Sequence, residues 1–412
     1  MPGPRVLLIG LDGATLDLIA PWAAAGDLPH LARLMRAGAW GRLRSTTPAM
    51  TFPAWSTMMT GVDPGRHGVF DFTRRPLDPQ GRRRYAVEFL NATHRRFPSL
   101  WRRLTDAGRR LVVMGLPATY PPELINGVMI AGFDAPVATA IDASFVHPPG
   151  VYAELRRAAG AYRFADFQQQ NIGPGWHAEA LRKLQAALRD RIAIAEYLLT
   201  HKPWDCAMLL FGESDSVGHH FWIFHDPASP RHDAARAAEL GGAIRAVYRQ
   251  LDEAVGRLTA LAPDADVIVL SDHGFGGAGD KVLHLNRWLH AHGYLRFAAG
   301  ADWPGRALRG AKRLGLRWLP RGLQQQVFRR GGGRLAGRLE SGARFRGIDW
   351  AGTRAFSEEV NTCPAIWLNV AGRDAAGVVA PAEYEALRAE LIERLEAWRN
   401  PDTGERLVAR AW

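Results

Sequence analysis

The sequence predicts an α/β fold: a three-layer arrangement with a mostly parallel central sheet, helices on both faces and capping insertions. Two observations carry this expectation. Short apolar runs of strand length alternate with segments whose apolar residues recur every three or four positions. Polar, ligand-rich segments follow several of those runs directly, and ligands in open parallel sheets sit beyond the carboxyl ends of the strands. The 47% apolar content of the 412 residues is enough for a real core.

Val6 to Ile9 reads as a first strand and Leu111 to Met114 as another. Leu181, Leu184, Leu188, Ile192, Ala195 and Leu199 stripe one face of a helix. Cys206 to Phe211 is strand-like, and Ile244, Val247, Leu251, Val255 and Leu258 stripe a second helix. Pro263 to Asp266 ends that helix and Val267 to Leu270 forms the next strand. Ala365 to Val370 reads as a late strand, and Tyr384, Leu387, Leu391, Leu395 and Trp398 as a final amphipathic helix.

Two stretches break the alternation, and both are expected to cap the active edge of a single catalytic domain spanning residues 1–412. One, about 135–175, is loop-rich. The other, about 300–347, is helical and basic. From Trp303 to Arg346 there are 12 basic residues against one acidic, Glu340, a net of +11. The whole chain carries +11, so the remainder is about neutral. Arg306, Arg309, Arg313 and Arg317 share a helix spacing. They read as the solvated face of a cap helix, or as a lid offering Arg to a substrate phosphate or an anionic surface. A charge so local argues against a stable nucleic-acid complex.

No apolar run approaches the ~18 residues of a membrane span. The N-terminal run leads straight into Asp12 with no small-residue cleavage site, so it reads as a strand and not a leader. The only two cysteines, Cys206 and Cys363, exclude a disulfide scaffold and suit a reducing, cytoplasmic setting.

Four clusters carry candidate chemistry. Asp12-Gly13 follows the first strand, in a place that suits a cation ligand or an ordinary turn Asp. Thr51-Phe52-Pro53 puts Thr51 at or just before a helix N-cap, where free N–H groups favour phosphate; a simple Thr cap is the other reading. Asp215 and His219, four apart on a helical turn, face the same way as a metal pair requires, or open a surface helix. Ser271-Asp272-His273-Gly274 directly follows Val267–Leu270 and is the strongest of the four.

In order and spacing these four clusters resemble the alkaline phosphatase superfamily, in its type I phosphodiesterase/nucleotide pyrophosphatase branch. Pro117–Pro122, His284–Leu289, Asp349-Trp350 and Asn369–Gly377 extend the similarity over nearly the whole chain. The resemblance implies a hydrolase of phosphodiester or pyrophosphate bonds with Thr51 as nucleophile and a phospho-threonine intermediate. It implies two divalent cations, Zn²⁺ first and Mn²⁺ second. One would be held by Asp12, Thr51, Asp272 and His273, the other by Asp215, His219 and one further His. The substrate would be small and phosphorylated, nucleotide-like or a lipid headgroup. The family's further His lies well after Ser-Asp-His-Gly, whereas the last histidine here is His292. A truncated or divergent form, with one weakened metal site, is therefore expected. Phosphomonoester hydrolysis and a phospho-ligand-binding protein of the same fold are the alternative readings.

Overall fold

The structure, a computed structural model, describes residues 5–133, 141–160, 162–163, 173, 175–299, 333–359 and 364–412. Arg306, Arg309, Arg313 and Arg317, and much of both expected insertions, lie outside these residues. The chain forms two compact units. One comprises residues 5–74 and 89–282; the other comprises 75–88, 283–299 and 333–412.

The first unit is built on six strands: β1 (Arg5–Leu11), β2 (Leu111–Met114), β3 (Gly127–Ile130), β4 (Val146–His147), β5 (Cys206–Phe211) and β6 (Ala265–Leu270). Their order across the sheet is β4-β3-β2-β5-β1-β6. All neighbours are parallel except β4, which runs antiparallel to β3. The stretch expected to be a loop-rich cap therefore contributes the edge strand β4, and a helix Val151–Ala158 after it. Two residues are too few for a periodicity to reveal.

Successive side chains of a strand point to opposite faces, so a sheet buried on both faces needs apolar residues at every position. In β1, Leu7, Ile9 and Leu11 enter a core with the stripes of helices Trp176–His201 and Ala243–Ala260. Leu8 enters a second core with Trp55, Met59 and Trp101. The register pairs Leu11 with Phe211 and Gly10 with Leu270. The neighbouring strands β5, β1 and β6 thus end within a residue of one another, and the residues after them leave at one edge.

The second unit has its own core around Trp288, Tyr294, Phe345, Phe356, Leu387 and Leu391. Ala365–Val370, expected as one strand, shortens to Trp367–Leu368, paired antiparallel with Ala355–Phe356. Beyond Leu368 the backbone turns to serve Asn369. This residue is fully buried and donates to the Thr353 and Ala376 carbonyls at 2.8 and 3.0 Å. Asn286 likewise exchanges side chain–backbone hydrogen bonds of 2.8 and 2.7 Å with Ser357. The His284–Leu289 and Asn369–Gly377 motifs thus have a structural use here. No helix among the described residues is long and apolar enough to cross a membrane.

Candidate active site

Asp12 is the first residue after β1, and only 3% of it is exposed. Its position is held from both sides. The Ser214 hydroxyl donates to the Asp12 carbonyl at 2.6 Å, and the Trp55 indole N–H donates to Asp12 Oδ2 at 3.1 Å. Trp55 comes from helix Thr51–Thr60. Residues four apart share a helix face, so one helix presents both Trp55 and Thr51 to Asp12.

The N-cap of that helix is Met50, and Thr51 is its first residue, one place further in than expected. No side chain caps this N-terminus. Thr51 Oγ1 is thereby free of capping duty and lies 3.5 Å from Asp12 Oδ1 and 3.3 Å from His273 Nε2.

Asp272 and His273 follow β6. The Ser45 hydroxyl donates to the Asp272 carbonyl at 2.6 Å, and the Gly13 N–H donates to Asp272 Oδ1 at 3.1 Å. Asp272 Oδ2 is buried and makes no hydrogen bond among the described residues. His273 Nδ1 lies 2.8 Å from the Gly274 carbonyl, which takes its proton and leaves the Nε2 lone pair facing inward. Nε2 is 3.5 Å from both Asp12 Oδ1 and Asp272 Oδ2. Asp12, Asp272 and His273 each offer one ligand atom, all within 4.8 Å of one another.

The energetics of this cluster are those of crowded acids. Burial raises the Asp12 carboxyl well above its ordinary range, and the Asp272 and Asp215 charges raise it further against the Trp55 hydrogen bond. Burial also raises Asp272, to about 6, although His273 and the Gly13 N–H pull it down. Such a set is unfavourable by itself and is relieved by a cation.

Asp215 and His219 lie on helix Glu213–His225, with His219 Nε2 at 3.4 Å from Asp215 Oδ1. The Asp215 hydrogen bond raises the His219 pKa. Asp215 also abuts the first cluster: a Cβ on Gly13, whose φ is +63°, would lie 3.0 Å from both its Cβ and Oδ1. All six predicted residues therefore belong to the first unit. Asp12, Thr51, Asp272 and His273 converge, Asp215 borders them, and His219 joins through Asp215. Gly13→Ala is expected to cost on the order of 1–2 kcal/mol in backbone strain. It should also displace Asp215; chemical denaturation checks the first effect and metal titration the second.

Several residues escaped the sequence reading. Trp55 carried a usable signal, four positions after Thr51. Ser45 and Ser214 carried none. Beneath the site, Arg191 and Glu213 form a buried ion pair at 3.2 Å, with side chains 5% and 0% exposed. Arg191 also donates to the Leu210 carbonyl at the end of β5.

A mostly parallel sheet thus gathers a hydroxyl, two carboxylates and an imidazole at its carboxyl edge, and the two carboxylates and the imidazole could hold a metal ion. The chain belongs to the type I phosphodiesterase / nucleotide pyrophosphatase family, whose model matches residues 6–411. This is the branch its four motifs resemble. No curated protein matches it in sequence. Among solved structures it is similar to phosphonoacetate hydrolase from Sinorhizobium meliloti in complex with phosphonoacetate. That match has 20% identity and a TM-score of 0.47, and covers 73% of this chain and 66% of that one. The same hydrolase with phosphonoformate gives 20% identity, TM-score 0.45, and coverage of 72% and 64%. The chain spans just under two thirds of the length of these structures.

Proposed function

We propose that the protein hydrolyses phosphoric esters, at phosphodiester or pyrophosphate bonds of a small nucleotide-like or lipid-headgroup substrate, with Thr51 as nucleophile. The observation that carries this is the placement of Thr51 Oγ1 at 3.5 and 3.3 Å from Asp12 and His273, at an uncapped helix N-terminus.

The residues fit a divalent cation. Two buried carboxyls are pressed together, one buried oxygen has no hydrogen-bond partner, and an imidazole offers a fixed lone pair. Mixed Asp and His donors suit Zn²⁺, then Mn²⁺. We assign Asp12, Thr51, Asp272 and His273 to one metal and Asp215 and His219 to a second. Bound there, a divalent cation supplies positive charge that makes the hydroxyl acidic and neutralises the phosphoryl oxygens.

The chain's own residues do the rest. Asp12 and His273 hold Thr51 Oγ1 in place. The first-turn N–H groups of helix Thr51–Thr60 can receive the phosphoryl oxygens. With the substrate's second ester group still on phosphorus, Thr51 Oγ1 sheds its proton to solvent and forms a bond to phosphorus as the leaving-group oxygen departs and takes up a proton, giving a phospho-threonine ester. Water then cleaves that ester and restores the hydroxyl.

Among the described residues a cluster of three or more metal-ligating side chains occurs once, at Asp12, Asp272 and His273. Asp215 and His219 are therefore expected to hold their metal weakly. Titration of the chelated protein with Zn²⁺ should show one tight and one weak event, with turnover of an aryl phosphodiester rising over the second. Two equally tight events would contradict this. A substrate panel with an aryl phosphomonoester and a dinucleoside polyphosphate sets the preference. Metal binding without turnover of any of the three would overturn the hydrolase reading in favour of a phospho-ligand-binding protein.

A further inference from the structure

The two histidines assigned to metals are held in different ways. His273 has its Nδ1 tied to the Gly274 carbonyl, the usual means of orienting a ligand imidazole. His219 has no such tie among the described residues. Its one polar contact among them is Nε2 with Asp215, and its side chain is 58% exposed. Something else must limit its rotation for it to serve as a ligand.

We propose that Phe275 is the positioning residue for His219, substituting packing for the missing hydrogen bond. This rests on the reading of Asp215 and His219 as the second metal site. Phe275 stands two places after His273. Its ring lies against the backbone of helix Glu213–His225 at Gly218, where an added Cβ would approach the ring atoms Cε1, Cδ1 and Cζ to 2.9, 3.0 and 3.0 Å. Only glycine leaves room for a ring so close. From that notch the ring meets the His219 imidazole edge-on, with centroids 4.9 Å apart and planes at 88°. An aromatic edge against a ring face is a favoured arrangement, on the order of 0.5–1.5 kcal/mol beyond area burial.

Phe275 also rests on Trp222 of the same helix, with centroids 5.5 Å apart. Trp222 is itself tied by its indole N–H to Asp226 Oδ2 at 3.2 Å. Phe275 is thus a wedge carried by the Asp272–His273 segment and driven into the helix that bears Asp215 and His219. It holds the His219 ring by packing, where Asp215 holds it through Nε2. It also sets the spacing between the segment holding the first metal's ligands and the helix holding the second's.

The test is metal titration of the full, chelated chain with Zn²⁺ by calorimetry and with Co²⁺ by visible absorption, beside a thermal melt. Phe275→Ala should weaken the second event about tenfold or more and change its Co²⁺ spectrum, with the first event unchanged. Gly218→Ala, which pushes the ring from the opposite side, should do the same. Phe275→Tyr, which keeps the ring, should stay near the native values. Phe275→Leu, which keeps apolar volume without a flat edge, gives the same readout should Phe275→Ala not fold. A lowered melting temperature with both metal events unchanged in these variants would overturn the proposal, since packing alone predicts that pattern. His219→Ala is the control and should remove the second event. If it does not, the second-site reading itself falls, and the positioning role with it.

Discussion

Thr51→Ala is expected to lower turnover of an aryl phosphodiester by roughly 10³-fold or more, the loss typical of a covalent catalyst without its nucleophile. Thr51→Ser should keep a measurable part of the native rate, because the reaction needs the hydroxyl and not the methyl. Both variants should fold as the native protein does. Thr51 makes no capping hydrogen bond, and the alanine replacement favours the helix it begins. The first metal event should weaken only modestly in Thr51→Ala, since Asp12, Asp272 and His273 remain. A single-turnover experiment with the native enzyme should trap the substrate's phosphoryl group, with its second ester still attached, on Thr51. Native-like turnover by the Ala variant would end the mechanism.

Asp272→Asn should separate stability from function. In the metal-free protein the Asp272 carboxyl stands at about 6, above its ordinary 3.8, mainly because it is buried. A carboxyl raised on folding stabilises the fold when protonated. Its contribution is present in full below about pH 4 and is lost as pH rises through about 6. The metal-free native protein should therefore lose on the order of 3 kcal/mol relative to the Asn variant over that window. At pH 7.5 the metal-free Asn variant should be the more stable of the two, because its amide carries no charge beside Asp12. It can still accept the Gly13 N–H. The tight metal event and the turnover should both disappear. Denaturant titrations in chelator at pH 4.5 and 7.5 check the first claim and calorimetry the second. An Asn variant with native pH dependence, or one that still binds the first metal tightly, would contradict this account.

Much of the first unit was legible because its elements follow local rules. Cys206–Phe211 was read with its observed bounds, since an unbroken apolar run of six residues is too short for a typical helix and suits a strand buried on both faces. The stripes on Trp176–His201 and Ala243–Ala260 were read because one helix face meets one core. Asp12, Thr51, Asp272 and His273 stood out because they follow strand ends or open a helix, and Asp215 and His219 because they stand four apart in one helix. What escaped depends on distance along the chain. Val146–His147 becomes a strand only because β3 lies beside it. The second unit gathers residues 75–88 with residues from 283 onward, and no local period signals that association. Trp367–Leu368 is cut short by the buried amide of Asn369. Trp55 and Phe275 read as ordinary apolar residues until the elements they join are seen together.

The ion pair under the site bears on how this chain can drift. Arg191 and Glu213 are 22 positions apart in sequence, and both are buried. Loss of either alone strands a buried charge, at a cost of about 3–5 kcal/mol. Joint replacement by apolar residues of similar volume is often neutral or stabilising. Descendants of this chain should therefore carry both residues or neither, and single-partner intermediates should be purged before they spread. The two positions are inherited as one character, and a library randomising them together should recover folded members as matched pairs.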